Sequence, residues 1–200
     1  MKRRLSTLFS AAFVLVSGAN AGNDFDYCLL CHGANANGNY GIRAPKISGM
    51  EPWYLARQLE SFASGARGFP TDDIAGHEMR TVGWRLKNEG TLDAAVKFIG
   101  MLESKRPAST VTGDVAHGKA LYANCVSCHG EKGEGNQTLQ APALAARSDW
   151  YLVTQLANYQ QGLRGADARD IYGAQMQAIV STLPDAQAIT DVVAYINTLK

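Results

Sequence analysis

Cys28-Leu29-Leu30-Cys31-His32 recurs 97 residues later as Cys125-Val126-Ser127-Cys128-His129, and each run is followed by a glycine. Two thiols at i and i+3 can each add across one vinyl group of the same porphyrin. The imidazole that follows then lies beneath the ring, where it can ligate iron. On that ground Cys-x-x-Cys-His reads as an attachment run for a c-type haem. A zinc knuckle or a redox-active dithiol competes for one isolated copy. Two copies, each ending in His-Gly, weigh against both. All four cysteines of the chain are used here, so none is left for a disulfide.

The offset of 97 aligns far more than the motif. Gly38-Asn39 falls on Gly135-Asn136, Ala44-Pro45 on Ala141-Pro142, and Trp53-Tyr54-Leu55 on Trp150-Tyr151-Leu152. Gln58-Leu59 falls on Gln155-Leu156, while Gly65, Arg67 and Gly68 match Gly162, Arg164 and Gly165. Asp73-Ile74, Gly76 and Met79 match Asp170-Ile171, Gly173 and Met176, with no gap anywhere. The chain is one unit written twice, and such a repeat has to be found before a fold is assigned.

Each unit reads as helical. Pro52 suits the first turn of a helix ending at Gly65. Leu55, Leu59 and Phe62 give it an i, i+4, i+7 stripe, echoed by Leu152, Leu156 and Tyr159. Ser148 is the expected N-cap of the second copy of that helix. Asp114 is the expected cap of a helix running through Ala116, Ala120 and Leu121 towards Cys125. The first copy has room only for a short equivalent over 24–27. The last helix of each unit carries Leu92, Val96, Ile99 and Leu102, or Ile189, Val193, Ile196 and Leu199. The Gly- and Asn-rich segments 33–41 and 130–136 read as loops. The expected fold is all-α, with two tandem domains related by internal duplication. They cover residues 22–102 and 114–200, and a linker containing Pro107 joins them at 103–113.

Hydrophobic residues at 46% and charged residues at 18% suit a folded protein of one or two domains. A net charge of +1 leaves no footprint for nucleic acid. Lys2-Arg3-Arg4, the apolar stretch 5–16 and the small residues Ala19-Asn20-Ala21 form the three parts of a secretory signal peptide over 1–21. The apolar run is short for a bilayer span. Cleavage after Ala21 removes three basic residues and takes the net charge to −2. Export to the periplasm agrees with the motif, because c-type haem is attached outside the cytoplasm.

His32 and His129 take one face of each iron, and the other face decides between carrying electrons and performing chemistry. The candidates are His77, His117, Met50, Met79, Met101 and Met176. Equivalent irons should have equivalent ligands, and the repeat acts as the filter. Met50 aligns with Arg147, Met101 with Thr198, His77 with Ala174, and His117 with Asn20 of the leader. Only Met79 and Met176 align with each other, each 47 residues after its histidine. A lone methionine is ordinarily a core filler. These two recur in polar, Gly-containing stretches that read as loops. The expected iron ligands are therefore His32 with Met79 and His129 with Met176. His77 remains a rival in the first unit, and a second histidine would lower that haem's potential.

Two such domains in one exported chain, each with its downstream methionine, resemble the cytochrome c4 family. That resemblance spans the whole chain after the leader. It implies two class I cytochrome c-like domains, covalent haem at Cys28 and Cys31 and at Cys125 and Cys128, and loose peripheral attachment to the membrane. It also implies that Pro45 and Pro142 lend their carbonyls to the histidines' second nitrogens; a merely loop-stiffening proline is the alternative. Arg67 and Arg164 could pair with haem propionates, or stand exposed without a partner. Trp53 and Trp150 read as core or haem packing rather than electron relays.

The expected function is a periplasmic electron carrier between a quinol-oxidising complex and a terminal oxidase or reductase. An alternative is the dihaem subunit of an enzyme, such as a flavocytochrome sulfide dehydrogenase. A haem enzyme or gas sensor needs an open iron position, and the paired methionines argue against one. The copies diverge after the methionine, basic with a tryptophan over 80–87 and neutral over 177–184, so the two haems should have unequal surroundings.

Overall fold

A computed structural model describes residues 24–200, and the signal peptide expected over 1–21 lies outside them. Four helices build the first unit: α1 (Tyr27–His32), α2 (Pro52–Ser64), α3 (Ile74–Asn88) and α4 (Leu92–Gly100). Five build the second: α5 (Val115–Tyr122), α6 (Val126–His129), α7 (Asp149–Gln160), α8 (Ile171–Val180) and α9 (Ala186–Ile196). Among the described residues the only extended pairing is two isolated antiparallel bridges, Asn39 with Ala44 and Asn136 with Ala141. The all-α tandem fold is the one the repeat implies.

The apolar stripes do what their spacing requires. In the first unit Leu55 and Leu59 of α2 meet Leu86 of α3 and Val96 and Ile99 of α4. In the second, Tyr159 of α7 meets Val180 of α8 and Ile189, Val193 and Ile196 of α9, with Tyr122 of α5 fully enclosed. Burying one such aliphatic side chain contributes about 1.5–3 kcal/mol. Each unit therefore has its own core, with its attachment helix packed against it through Cys28 and Leu29 or Cys125 and Val126.

Three local expectations give way to the structure. Met79 and Met176 lie in helices, α3 and α8, rather than loops. Asp73 and Asp170 start those helices by accepting from the backbone N–H groups of Gly76 (3.1 Å) and Gly173 (2.9 Å). A Cβ at either glycine would collide with the capping carboxylate, so these glycines complete a cap and do not break a helix. The second difference concerns Ser148. It occupies the N-cap position of α7 but makes no capping bond. Its hydroxyl accepts from the Lys46 N–H of the other unit (3.3 Å). Finally, α1 is not a short prelude over 24–27 but contains the attachment run itself. Asp114 caps α5 as expected, accepting from Ala116 and His117.

Residues 103–113 have no regular structure, yet they are tied down on both sides. The Asn37 amide donates to the Glu103 carbonyl and accepts from the Lys105 N–H. Arg106 donates to the carbonyls of Asn197 and Leu199 at the end of the last helix. Asp149, at the start of α7 and 1% exposed, gathers Thr110 N–H (2.6 Å), Thr110 hydroxyl (2.7 Å), Val111 N–H (2.8 Å) and Asn197 amide (3.0 Å). Burial alone would raise the Asp149 carboxyl, but the bonds from Thr110, Val111 and Trp150 outweigh it and hold the group at about 2. Because the folded-state value lies below the ordinary 3.8, its stabilisation is fully present above pH 4 and is lost as pH falls towards 2. Asp149→Asn should therefore cost about 2–4 kcal/mol at pH 7. In thermal melts recorded from pH 7 downward, the gap between the two proteins should close over pH 4–2; a gap independent of pH would contradict this account.

Candidate functional site

The two motif histidines are built identically. His32 is 6% and His129 4% exposed, and Nδ1 of each lies 2.7 Å from a proline carbonyl, Pro45 or Pro142. A carbonyl oxygen only accepts, so Nδ1 carries the proton and Nε2 keeps a free lone pair. Burial pulls both imidazoles below their usual range, offset only in part by those carbonyls, and each ring is kept neutral. This is the protonation state a metal ligand needs. The prolines hold the rings by their carbonyls, as the sequence reading allowed. Gly38 and Gly135 close the loops by donating to the carbonyls of His32 and His129 (2.7 and 2.8 Å).

His129 Nε2 is buried and has no hydrogen-bond partner. Such an atom costs about 1–3 kcal/mol unless something occupies its lone pair. His129 lines an apolar cleft whose other lining residues include Cys125, Cys128, Leu152, Leu156 and Met176. Cys125 is half-buried and Cys128 exposed, and burial pushes the Cys125 thiol up to about 11. A flat apolar group held by both sulfurs, with iron over Nε2, fits these residues. In the first unit Cys28 and Met79 pack against the same apolar cluster, while His77 is exposed on α3. His117 is bound to Asp191 at 2.7 Å and Met101 is 70% exposed; neither lines this cleft, whereas Met50 does, from the other unit.

Arg67 and Arg164 are neither exposed nor idle. Both are buried between the two units and linked by a network with near two-fold symmetry. Arg67 donates to Gln58 (2.7 Å), Tyr151 (2.7 Å) and Gln155 (2.9 Å). Arg164 donates to Gln155 (2.8 Å), Tyr54 (3.1 Å) and Gln58 (2.9 Å). Every one of these partners is neutral, and each guanidinium keeps a buried, unbonded Nε. Although burial would raise the Tyr54 phenol, the guanidiniums of Arg164 and Arg67 bring it below its ordinary value. Two buried cations without a carboxylate are costly. Arg164 also lines the cleft, so the carboxylates of a porphyrin would suit it.

The sequence reading missed Tyr54, Tyr151, Gln58 and Gln155, although the signal was present. A glutamine recurring beside a helix's apolar stripe is a polar group that folding will bury. Trp53 and Trp150 are half-buried, and Trp150 packs edge-on against Tyr40 of the other unit at 5.5 Å.

Comparison with known proteins agrees with this geometry. The cytochrome c family model matches residues 115–200. The thiosulfate dehydrogenase electron acceptor of Stutzerimonas stutzeri is 32% identical over 178 residues, covering 85% of this chain and 79% of that one. Cytochrome c4 of Azotobacter vinelandii is 26% identical over 166 residues, covering 77% of each. The solved structure of Acidithiobacillus ferrooxidans cytochrome c4 superposes with a TM-score of 0.68 at 23% identity, over 86% of this chain and 98% of that one. With two attachment runs, two neutral buried histidines and these relatives, the chain belongs to the cytochrome c4-like dihaem c-type cytochromes, which carry electrons rather than catalyse a reaction.

Proposed function

We propose that this protein is a periplasmic relay, with His32/Met79 and His129/Met176 as the pairs that would hold its two haem irons. It takes electrons from a thiosulfate dehydrogenase and passes them to a terminal oxidase or reductase. The observation that carries the reading is the unbonded His129 Nε2, buried beside a cleft that Met176 also lines. The donor is suggested by the Stutzerimonas stutzeri relative, which is named for accepting electrons from that enzyme. The units divide as 22–102 and 114–200, supported by separate apolar clusters and the structureless 103–113. No helix of the described residues is long and apolar enough to cross a membrane.

Each haem supplies an iron that alternates between ferric and ferrous. The chain's own task is to keep its ligands still while that happens. Pro45 and Pro142 fix the imidazole planes through the 2.7 Å bonds. The caps at Asp73 and Asp170 fix the first turns of α3 and α8, from which Met79 and Met176 are presented. Leu152 and Leu156 give the second cleft part of its apolar wall. Arg67 and Arg164 supply buried positive charge at the join between the units, where they would hold propionates and favour the reduced state.

The ferric protein should show the far-red methionine band with two haems' intensity. Met79→Ala and Met176→Ala should each remove half of it, and His77→Ala should leave it whole; loss of half the band in His77→Ala would reassign the first iron. In stopped-flow mixing, a reduced thiosulfate dehydrogenase should reduce the ferric protein at least tenfold faster than a quinol-oxidising complex or a flavoprotein sulfide dehydrogenase does. The reverse order would replace the donor while leaving the relay intact. The intact mass of the exported protein should correspond to a chain beginning at Gly22 plus two haems; a retained leader would refute cleavage after Ala21.

A further inference from the structure

Arg57 of α2 breaks the symmetry of the repeat. Its counterpart is Thr154, an exposed residue whose hydroxyl turns back to the Trp150 carbonyl (2.9 Å). Arg57 instead reaches out of its own unit into the second. Its Nη1 donates to the Gln140 side-chain oxygen at 2.8 Å and its Nη2 to the Gln140 carbonyl at 3.0 Å. Its guanidinium also lies 4.7 Å from the centre of the Tyr172 ring, with Trp53 and Tyr54 each at 5.3 Å. A planar cation held between aromatic faces and a two-point acceptor is a geometry lysine or threonine cannot reproduce.

Both contacts lead to the second haem's ligands. Gln140 sits in the left-handed region (φ 56°), as the last residue of the turn closed by the Asn136–Ala141 bridge. Two residues on is Pro142, whose carbonyl holds His129. Tyr172 is in the first turn of α8, four residues and so one helical turn before Met176. Arg57 thus ties the histidine-side turn to the methionine-side helix. The first unit has Arg43 in place of Gln140 and Ala75 in place of Tyr172, so its turn offers no side-chain acceptor and its helix no ring to receive a cation.

Arg57 also lines the cleft itself. Of the other charged groups there, Arg164 is also held by neutral oxygens, but it has its counterpart, Arg67, in the first unit. Arg147 is paired with Glu51 at 3.0 Å, and Asp170 caps α8 just as Asp73 caps α3 in the first unit. Arg57 has no such carboxylate bond; its two hydrogen bonds go to neutral oxygens. Positive charge beside an iron favours the state with one more electron, and partial burial keeps water from screening it.

We propose that Arg57 is a positioning residue supplied by the first domain to the second haem. It locks that haem's two ligand-bearing segments together and raises its reduction potential, with no equivalent at the first haem. The inference rests on His129 and Met176 being the second axial pair.

The test is a potentiometric titration of the purified dihaem protein, followed in the far-red band. The Met176→Ala chain identifies which midpoint belongs to the second haem. Arg57→Thr, the residue the repeat places there, should lower the second midpoint and leave the first where it was. The second half of the band should also disappear at a lower guanidinium concentration than in the parent protein. Arg57→Lys keeps the charge without the fork, and should retain most of the midpoint while losing the added resistance to denaturant. An unchanged second midpoint in Arg57→Thr, or equal movement of both midpoints, would overturn the proposal. If Met176→Ala left the band whole, the ligand assignment would fail instead, and a shift of one haem alone in Arg57→Thr would still stand.

Discussion

The bond from a histidine Nδ1 to a proline carbonyl governs each half of this molecule. At 2.7 Å in both units it fixes a proton on one side of the ring and so frees the other. Everything adjacent serves to keep that carbonyl in place. The turn after the attachment helix doubles back through the Asn39–Ala44 or Asn136–Ala141 bridge, and a glycine N–H ties the loop to the histidine's own carbonyl. Gly38 and Gly135 are required there, because both adopt positive φ and a Cβ on either would run into the backbone of the following strand of loop. The burial that makes the imidazole neutral is provided by helices whose apolar stripes have no other reason to converge at this place.

Between the halves the controlling quantity is buried charge. Arg67 and Arg164 share Gln58 and Gln155 as acceptors, so each glutamine oxygen serves both units at once. Such an arrangement resists sliding or rotation, since moving one domain breaks bonds made by both. The linker adds to this restraint. Asn37 holds its start and Asp149 its end, and the chain between the domains behaves as a strap rather than a hinge.

The helical class, the duplication and the haem runs were readable because each is written locally or periodically. Stripes at i, i+4 and i+7 need no tertiary information, and an offset of 97 needs only the sequence itself. The proline carbonyls were legible through resemblance to a family, and the structure shows the bonds. Helix α3 was misread around Met79 because glycine and polar residues usually mark loops, whereas Gly76 makes room for the Asp73 carboxylate. Ser148 was misread for a different reason. Its hydroxyl had two possible N–H donors, and the one it took lies 102 residues away in sequence. The contacts of Arg67, Arg164 and Arg57 share that character. Apart from Arg67–Gln58 and Arg164–Gln155 within each unit, they join residues 83 to 110 positions apart, and only the recurring glutamines hint at them locally.

The crossed network has the symmetry of a dimer interface. Tyr54, Gln58 and Arg67 of one unit meet Tyr151, Gln155 and Arg164 of the other, the same three residues from each side. A surface that binds its own copy in this way is isologous, the kind that closes a two-fold homodimer. A single unit carrying these three side chains would present a self-complementary surface. A short strap between two such units makes their association internal rather than dependent on concentration. Joined in one chain, the two copies need not be identical to fit. Arg57 facing Gln140, without a counterpart across the axis, is the kind of change that only a fused pair can keep.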